Sequence, residues 1–268
     1  MPIGIDHKDF LKKGTIDEIV YEKCSHLLGK SKIFISEQQN KVLNKIKKSI
    51  SHNSSEKFIF GRNFNYKKLS KEFIYKDDLG EMNLPFPNLL GDFQISNVCT
   101  AIAVSRSLKK YKIYESHIKK AITKIRSEGR LQKITHGKLR KYVFKDNEIL
   151  VDGAHNNLAA SQISKYLKNL DNKKKIILML GMMSNKDHKG FIQKFKNKID
   201  SIVVLDIPNQ INSIKKEKLL QIALSCGIPT KTENSIINAF KKISKENNSS
   251  IIFCTGSLYF AGEVLNLN

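Results

Sequence analysis

The pattern of hydrophobic positions divides the 268-residue chain into two halves of different character. In the second half, apolar runs of four to seven residues alternate with segments in which apolar residues recur at helical spacing. The runs predict strands at 148–151, 175–180, 201–207, 230–233 and 250–255, and the periodic segments predict helices at 158–167, 191–199, 215–226, 236–245 and from 258 onward. Such alternation is typical of a parallel, doubly wound sheet. This half therefore predicts a complete Rossmann-like α/β domain.

The first half is less regular and predicts an incomplete domain. Its pattern favours strands at 32–35 and 57–64, a β-ribbon at 69–84, and helices at 15–28, 41–50, 96–108 and 116–126. The opening Ile3-Gly4-Ile5 reads as the end of a core strand, which a complete domain rarely exposes at its first residues. A length of 268 residues suits two domains of about 150 residues each, so we expect domains at 1–128 and 129–268, with the boundary near Gly129.

Composition narrows the class of protein. Hydrophobic residues make up 40% of the chain and charged residues 27%, which is enough apolar material for two cores. No apolar run reaches the roughly 18 residues of a membrane span, and the first residues lack an apolar leader segment. Neither a membrane partner nor a signal peptide is therefore expected. The four cysteines, at 24, 99, 226 and 254, are widely spaced, which predicts reduced thiols in a cytoplasmic protein.

The charge raises the question of nucleic-acid binding. The 47 basic and 25 acidic residues give a net charge of +22. Arginine, which contacts bases and phosphates with two hydrogen bonds at once, accounts for only five of the basic residues. The lysines are spread over nearly every segment, which favours a solvated surface and a compositional bias. We therefore expect no nucleic-acid partner, although a basic nucleic-acid-binding protein is the alternative from another class.

The segment 151–156, with the sequence VDGAHN, carries the clearest chemical pattern. A buried strand runs into a glycine turn and then a helix, and ligands of open α/β sheets lie beyond the carboxyl ends of the strands. Asp152 and His155 are therefore candidate site residues. A plain turn with Asn156 as the helix N-cap is the alternative.

Weaker patterns mark four further positions. Asn97 follows Ser96, a candidate N-cap, in a first helical turn from which an amide can read a purine edge. Arg130 follows a glycine at the expected boundary, where a guanidinium can reach a polyphosphate, although a surface arginine is as simple an explanation. Ser257 suits either an anion-binding helix N-terminus or an ordinary N-cap. His7 is isolated, and isolated histidines are usually structural.

Together and in this order, the motifs resemble the C-terminal two thirds of folylpolyglutamate synthase/dihydrofolate synthase, a member of the Mur ligase family. The matching stretches are GIDH at 4–7 with EK at 22–23, LGDFQ at 90–94 with Asn97, GRLQ at 129–132, DGAHN at 152–156, GM at 181–182 with KD at 186–187, and GSLY at 256–259 with GE at 262–263. The resemblance implies the remaining part of a Mur ligase central ATP-binding domain, followed by a Rossmann-like glutamate-ligase domain. Such enzymes are usually monomeric.

The resemblance also implies an activity. Enzymes of this family use ATP and Mg²⁺ to phosphorylate the carboxylate of dihydropteroate or a folate, and the amine of L-glutamate then attacks the acyl phosphate. By position, Asn97 would contact the adenine, Arg130 the phosphates, and Asp152 the nucleotide from the C-terminal domain. The sequence leaves open whether dihydropteroate, folylpolyglutamate or both are substrates.

The same resemblance assigns residues to glutamate and metal. His155, a catalytic candidate, and Ser257 would lie near the incoming glutamate. His7 would be a magnesium ligand, and Lys23 would become a carbamate. A carbamate supplies the hard anionic oxygen that magnesium prefers, whereas an ammonium repels the ion.

Several positions depart from the family pattern. Phe93 stands where a histidine is expected, Asn157 replaces a proline, and Cys24-Ser25 replaces Ala-Gly. The 268 residues also contain no GxxxxGK[ST] phosphate loop, which the family carries upstream of the matching region. We therefore expect a chain that lacks the phosphate-loop part and has little activity alone. A truncated, inactive homologue is the alternative.

Overall fold

The computed structural model describes residues 2–5, 11, 14–170 and 174–268. The chain forms two compact units, Met1–Arg126 and Ser127–Asn268. Across these described ranges, no helix combines the length and hydrophobicity needed to cross a bilayer.

The first unit combines a short parallel sheet with an antiparallel meander. Its helices are α1 (Ile16–Ser25), α2 (Asn40–Ser49), α3 (Phe93–Arg106) and α4 (Glu115–Lys124), and its strands are β1 (Ile33–Ile35), β2 (Lys57–Ile59), β3 (Phe64–Lys68), β4 (Glu72–Asp77) and β5 (Gly80–Pro85). β1 pairs with β2 in parallel, and β3, β4 and β5 pair in antiparallel order. Alternate residues of β4, Phe73 and Tyr75, are fully buried in the same core as the apolar face of α3.

The single strand expected at 57–64 in this unit is wrong. The pattern at 57–64 predicts one strand, but the chain turns after β2 and starts the antiparallel meander at Phe64. Gly61 has a φ of +82°, a backbone conformation that breaks an extended strand and that glycine adopts without strain. The apolar residues at 58–60 and at Phe64 therefore concealed the turn at 61–63 that lies between them.

The second unit is a doubly wound α/β fold. Its strands are β6 (Gln132–Ile134), β7 (Glu148–Val151), β8 (Lys175–Leu180), β9 (Ser201–Val204), β10 (Thr230–Thr232) and β11 (Ser250–Thr255), and its helices are α5 (Asn157–Lys168), α6 (His188–Gln193), α7 (Lys216–Ser225), α8 (Ile236–Glu246), α9 (Leu258–Asn266) and a 3₁₀ helix at Lys138–Tyr142. The sheet order is β10-β9-β8-β11-β7-β6, and all pairs are parallel except β6 with β7. The expected α/β class is confirmed.

Helices cover both faces of this sheet, which explains why the central strands are apolar runs. On β11, the Phe253 ring lies 6.5 Å from that of Phe195, just beyond α6, whereas Cys254 belongs to the core formed with α8 and α9. Every residue of β11 is buried. Because β7 and β11 are neighbours and lead into helices on opposite faces, their carboxyl ends form the switch point at which such sheets bind ligands.

Three features of the second unit differ from expectation, and the first is that β9 ends at Val204 rather than at residue 207. The antiparallel edge strand β6 has no counterpart in the predicted elements, because three residues with two polar side chains make no hydrophobic run. The helix expected at 191–199 is the shorter α6, which starts earlier because Asp187 caps it. It also ends earlier, since the following residues form turns and Asn197 has a φ of +60°.

Candidate functional site

The candidate site of the second unit forms where β6 begins and β7 ends. The antiparallel register places Gln132 opposite Val151, so the turn before β6 and the turn after β7 lie at the same edge of the sheet. The register thus brings Arg130 and Asp152, which are far apart in sequence, to one place. The parallel strands alone would not have done so.

The Asp152 carboxylate ties the two turns together. Its Oδ2 accepts a hydrogen bond of 2.8 Å from the backbone N–H of Leu131, and its Oδ1 accepts one of 2.7 Å from that of Ala154. Asp152 is only 4% exposed, and this burial raises the pKa of its carboxyl group. The two N–H groups, the Arg130 guanidinium and His155 in its protonated form act in the opposite direction and lower that pKa. Asp152 therefore has a clear structural task at this edge.

The turn that Asp152 holds is strained. Leu131 has a φ of +47°, which is unusual for a bulky residue, and its side chain is buried. Gly129, at φ +60°, accepts a hydrogen bond of 2.9 Å from the N–H of Gly153. Between these two fixed residues the Arg130 side chain is exposed. The outcome is a hydrogen-bonded turn that presents one guanidinium at the carboxyl edge of the sheet.

His155 and Asn156 lie on the turn that leads into α5. The Nδ1 of His155 lies 2.9 Å from the carbonyl oxygen of Gly153, and because a carbonyl only accepts, Nδ1 carries the hydrogen. In the neutral ring, Nε2 is then the basic nitrogen. The Asn156 side chain accepts a hydrogen bond from the N–H of Ala159, which confirms Asn156 as the N-cap. His155 is therefore oriented by its own turn.

Ser257 is the N-cap of α9, the helix that follows the neighbouring strand β11. Its hydroxyl oxygen accepts a hydrogen bond of 3.1 Å from the N–H of Tyr259, and the residue is 2% exposed. The preceding Gly256 donates to the carbonyl of Ala154, which joins the turns after β7 and β11. The structure thus gathers Arg130, Asp152, His155 and Ser257 at the carboxyl edge of one sheet.

Asn97 belongs to the first unit, and its helix differs from expectation. Ser96 is not the N-cap, because α3 already begins at Phe93 after a turn at Gly91, whose φ is +96°. Asn97 consequently lies in the second helical turn rather than the first. Its side chain is exposed, and its Nδ2 donates a hydrogen bond of 3.0 Å to the Oε1 of Gln94. The convergence of Asn97, Arg130 and Asp152 on one nucleotide stays a prediction.

The predicted metal residues gain no support from geometry. His7 lies outside the described residues. Lys23 is exposed on α1, and its Nζ lies 3.2 Å from the Oε1 of Glu22. Within the part of the chain that is described, no three histidine, cysteine, aspartate or glutamate side chains are grouped so that they could hold a metal ion. The roles of His7 and Lys23 stay predictions.

Sequence reasoning missed the residues that support the site through their backbone. Leu131 and Ala154 contribute backbone N–H groups. Every residue type except proline has such a group, so the sequence does not reveal which ones are used. Gly153 allows close packing, since a Cβ there would lie 2.3 Å from the Cδ2 of Leu258 and displace that side chain. The glycine of DGAHN and the leucine of GSLY are therefore packing partners, and their joint occurrence was the available signal.

Comparisons with known proteins agree with this architecture. The sequence profile described as "Dihydrofolate synthetase, C-terminal domain" matches residues 132–267, about half of the chain. The chain is 25% identical to a probable dihydrofolate synthetase of Schizosaccharomyces pombe, over 98% of this chain and 63% of the relative. It is 24% identical to the dihydrofolate synthetase of Saccharomyces cerevisiae, over 99% of this chain and 64% of the relative.

A solved structure shows the same fold. Mycobacterium tuberculosis folylpolyglutamate synthase, crystallised with ADP and AMPPCP, superimposes with a TM-score of 0.82 at 20% identity, over 99% of this chain and 62% of that one. The chain belongs to the folylpolyglutamate synthase/dihydrofolate synthase family. It spans slightly under two thirds of the length of the curated relatives it matches.

Proposed function

We propose that the chain contributes to an ATP- and Mg²⁺-dependent ligase that adds L-glutamate to dihydropteroate, to folylpolyglutamate or to both, through an acyl phosphate. The single observation that supports this most is the strained turn held by Asp152, which presents Arg130 beside the first residues of α5 and α9. In this proposal the first unit is the remaining part of the central ATP-binding domain, and the second is the glutamate-ligase domain. The enzyme acts as a cytoplasmic monomer.

In this proposal, the charge of each group in the second unit determines which part of the substrates it contacts. Bound ATP supplies the phosphoryl group that activates the carboxylate. Arg130 offers paired N–H donors to phosphate oxygens, and Asp152 keeps the Arg130 turn in place from within the fold. The backbone N–H groups at the start of α5 and α9 favour anions such as the carboxylates of glutamate. His155, with Nδ1 protonated, directs a basic Nε2 that can take a proton as the glutamate amine attacks.

Asp152 needs a revised role within the proposal. Family resemblance implies a nucleotide contact, but both of its oxygens accept backbone hydrogen bonds and the residue is nearly fully buried. We infer that it supports nucleotide binding through Arg130. We assign no step to Mg²⁺, because the described residues do not group into a metal site and Lys23 pairs with Glu22.

Nucleotide binding tests the assignment of Arg130. We expect Arg130→Ala to weaken ADP binding, measured by calorimetry, by about tenfold or more, since a charge-assisted contact to phosphate is lost. The matched control is Lys145→Ala, which removes one exposed positive charge from the opposite, amino-terminal end of β7. Equal affinities for both variants would contradict the assignment.

A turnover measurement tests whether the 268 residues are active without a phosphate loop. We expect little or no glutamate-dependent ATP hydrolysis with dihydropteroate from the 268 residues, because they contain no GxxxxGK[ST] loop to hold the β- and γ-phosphates. Loss of one preorganised group costs about two to three orders of magnitude in rate. A chain extended at its N-terminus by such a loop should be active. Equal turnover from both chains would contradict this expectation, and no turnover from either would favour the inactive homologue.

A further inference from the structure

A buried amide lies beneath the exposed Asn97. Gln94 is only 6% exposed, although its side chain is polar, and it lies one helical turn before Asn97 on α3. Its Oε1 accepts the 3.0 Å hydrogen bond from the Nδ2 of Asn97. Residues three apart on a helix are neighbours, so this contact is set by the helix itself. None of the roles in the proposed function uses Gln94.

The contact decides which way the Asn97 amide faces. A primary amide has an oxygen that only accepts and a nitrogen that donates twice. With one Nδ2 hydrogen bonded to Gln94, the Oδ1 and the second hydrogen form an edge that accepts at one end and donates at the other. With the Gln94 amide in its present orientation, rotation of the Asn97 amide by half a turn would bring Oδ1 against the Oε1 of Gln94, where two acceptors repel.

The exposed edge of the Asn97 amide matches adenine better than guanine. Adenine offers an N–H₂ donor beside a ring acceptor, and an asparagine amide satisfies both. Guanine offers O6, an acceptor, where adenine has its amino group. An amide that can turn over adapts to either base, whereas a fixed one discriminates between them. Discrimination therefore depends on whatever fixes the amide.

We propose that Gln94 is a positioning residue that fixes the Asn97 amide and so sets a preference for adenine over guanine nucleotides. This inference rests on the proposed function, in which Asn97 contacts the base. The start of α3 is itself anchored, because Gln94 N–H donates to the Gly91 carbonyl and Lys68 holds Asp92 by two contacts of 2.7 Å. Gln94 therefore acts from the hydrogen-bonded start of a helix.

The test compares ADP and GDP affinities of the 268-residue chain. Gln94→Met keeps the length of the side chain but replaces the strong acceptor by a weak one. We expect the ratio of GDP to ADP dissociation constants to fall about tenfold in this variant, because a bidentate base contact is worth about that much discrimination. The control is Gln221→Met, the same change at an exposed position of α7, which should leave the ratio unchanged.

A third variant separates the inference from the proposed function. Asn97→Ala should weaken ADP binding and remove the preference for adenine. If Asn97→Ala left ADP binding unchanged, or the unmodified chain bound no ADP, the proposed base contact would fail. If Asn97→Ala weakened ADP binding but Gln94→Met left the ratio intact, only the role of Gln94 would fail.

A nucleotide-free measurement examines the hydrogen bond directly. In ¹⁵N–¹H spectra, one of the two Asn97 side-chain protons should shift upfield in Gln94→Met, because a bonded hydrogen becomes exposed to water. The backbone signals of the meander and of α4 should stay in place, which shows that the unit is folded. Unshifted Asn97 side-chain signals would overturn the inference whatever the affinities are.

Discussion

At the scale of single residues, the candidate site is held together by a side chain that binds backbone groups. Asp152 satisfies two N–H donors in two turns, and one of those turns includes Leu131 in a left-handed conformation. A strained residue persists only where its surroundings over-determine it. The sequence pattern predicts Asp152 as a site residue because strand, glycine and helix surround it. It could not show that the partners of Asp152 are backbone groups.

Asp152→Asn should destabilise the second unit. The amide keeps one acceptor oxygen but turns an N–H₂ group toward a backbone donor, so a buried N–H loses its partner. We expect the free energy of unfolding to fall by about 2 kcal/mol, measured by urea denaturation. Asp146→Asn is the control, because Asp146 is exposed just before β7. Equal stability of the two variants would contradict the role of Asp152 in holding the turns.

Gly256 and Gly262 offer a matched pair of substitutions. Gly256 has a φ of +109°, and a Cβ there would lie 2.6 Å from the carbonyl oxygen of Gly181, a backbone atom. Gly256→Ala should therefore cost about 2 kcal/mol or more in thermal unfolding, from strain and overpacking together. Gly262 lies inside α9 with nothing within 4 Å of its Cβ position. Gly262→Ala should raise stability by about 0.5–1 kcal/mol, and the opposite order would refute the packing described at the β11 turn.

At the scale of elements, the predictable parts are those with a continuous hydrophobic signal. β8 and β11 are apolar because helices cover both of their faces, and the sequence shows this without ambiguity. β6 is a three-residue edge strand with two polar residues, and only its pairing with β7 defines it. The start of α3 was misplaced because Ser96 has the chemistry of a cap, whereas the turn at Gly91 begins the helix earlier. Local chemistry therefore allows more than one start, and tertiary context selects between them.

α6 contains a histidine that should make stability depend on pH. The Nε2 of His188 donates a 2.9 Å hydrogen bond to the Met183 carbonyl. Burial lowers the pKa of His188 below its ordinary 6.5, and the Lys218 charge adds to this, against the effects of that carbonyl and of Asp187. The unfolded chain then binds a proton more readily than the folded one. Stability from this group is full above about pH 6.5 and is lost as the pH falls toward the lowered pKa.

The variant His188→Gln isolates this effect, since an amide can still donate to the Met183 carbonyl but does not titrate. Between pH 7.5 and 5.5, the unmodified chain should lose more stability than the variant. The difference is limited to about 1.4 kcal/mol per pH unit below 6.5. Parallel pH profiles of the unfolding midpoint would contradict the assignment.

At the scale of the whole molecule, the two units differ in how their sheets are completed. In the second unit a six-stranded sheet has helices on both faces. In the described part of the first unit, β1 and β2 pair only with each other in their parallel sheet, so each keeps an unpaired edge. Two-stranded sheets are marginal in water, and open edges invite aggregation. The same contrast appears in the sequence, where only the second half predicts a complete domain.

The fragment 127–268 should therefore fold on its own, whereas 1–126 should not do so to the same degree. We expect urea denaturation of 127–268, monitored by circular dichroism, to show a single cooperative transition. The apolar side chains on both faces of its sheet should lose their packing together. We expect 1–126 to unfold at lower urea or without a sharp transition, since its parallel strands lack neighbours within the described residues. A third sample, the complete 268-residue chain, shows whether the first unit gains stability from the second. Equal midpoints and equally sharp transitions for the two fragments would show that the meander and α3 alone stabilise the first unit, and that the open edges of β1 and β2 cost it little.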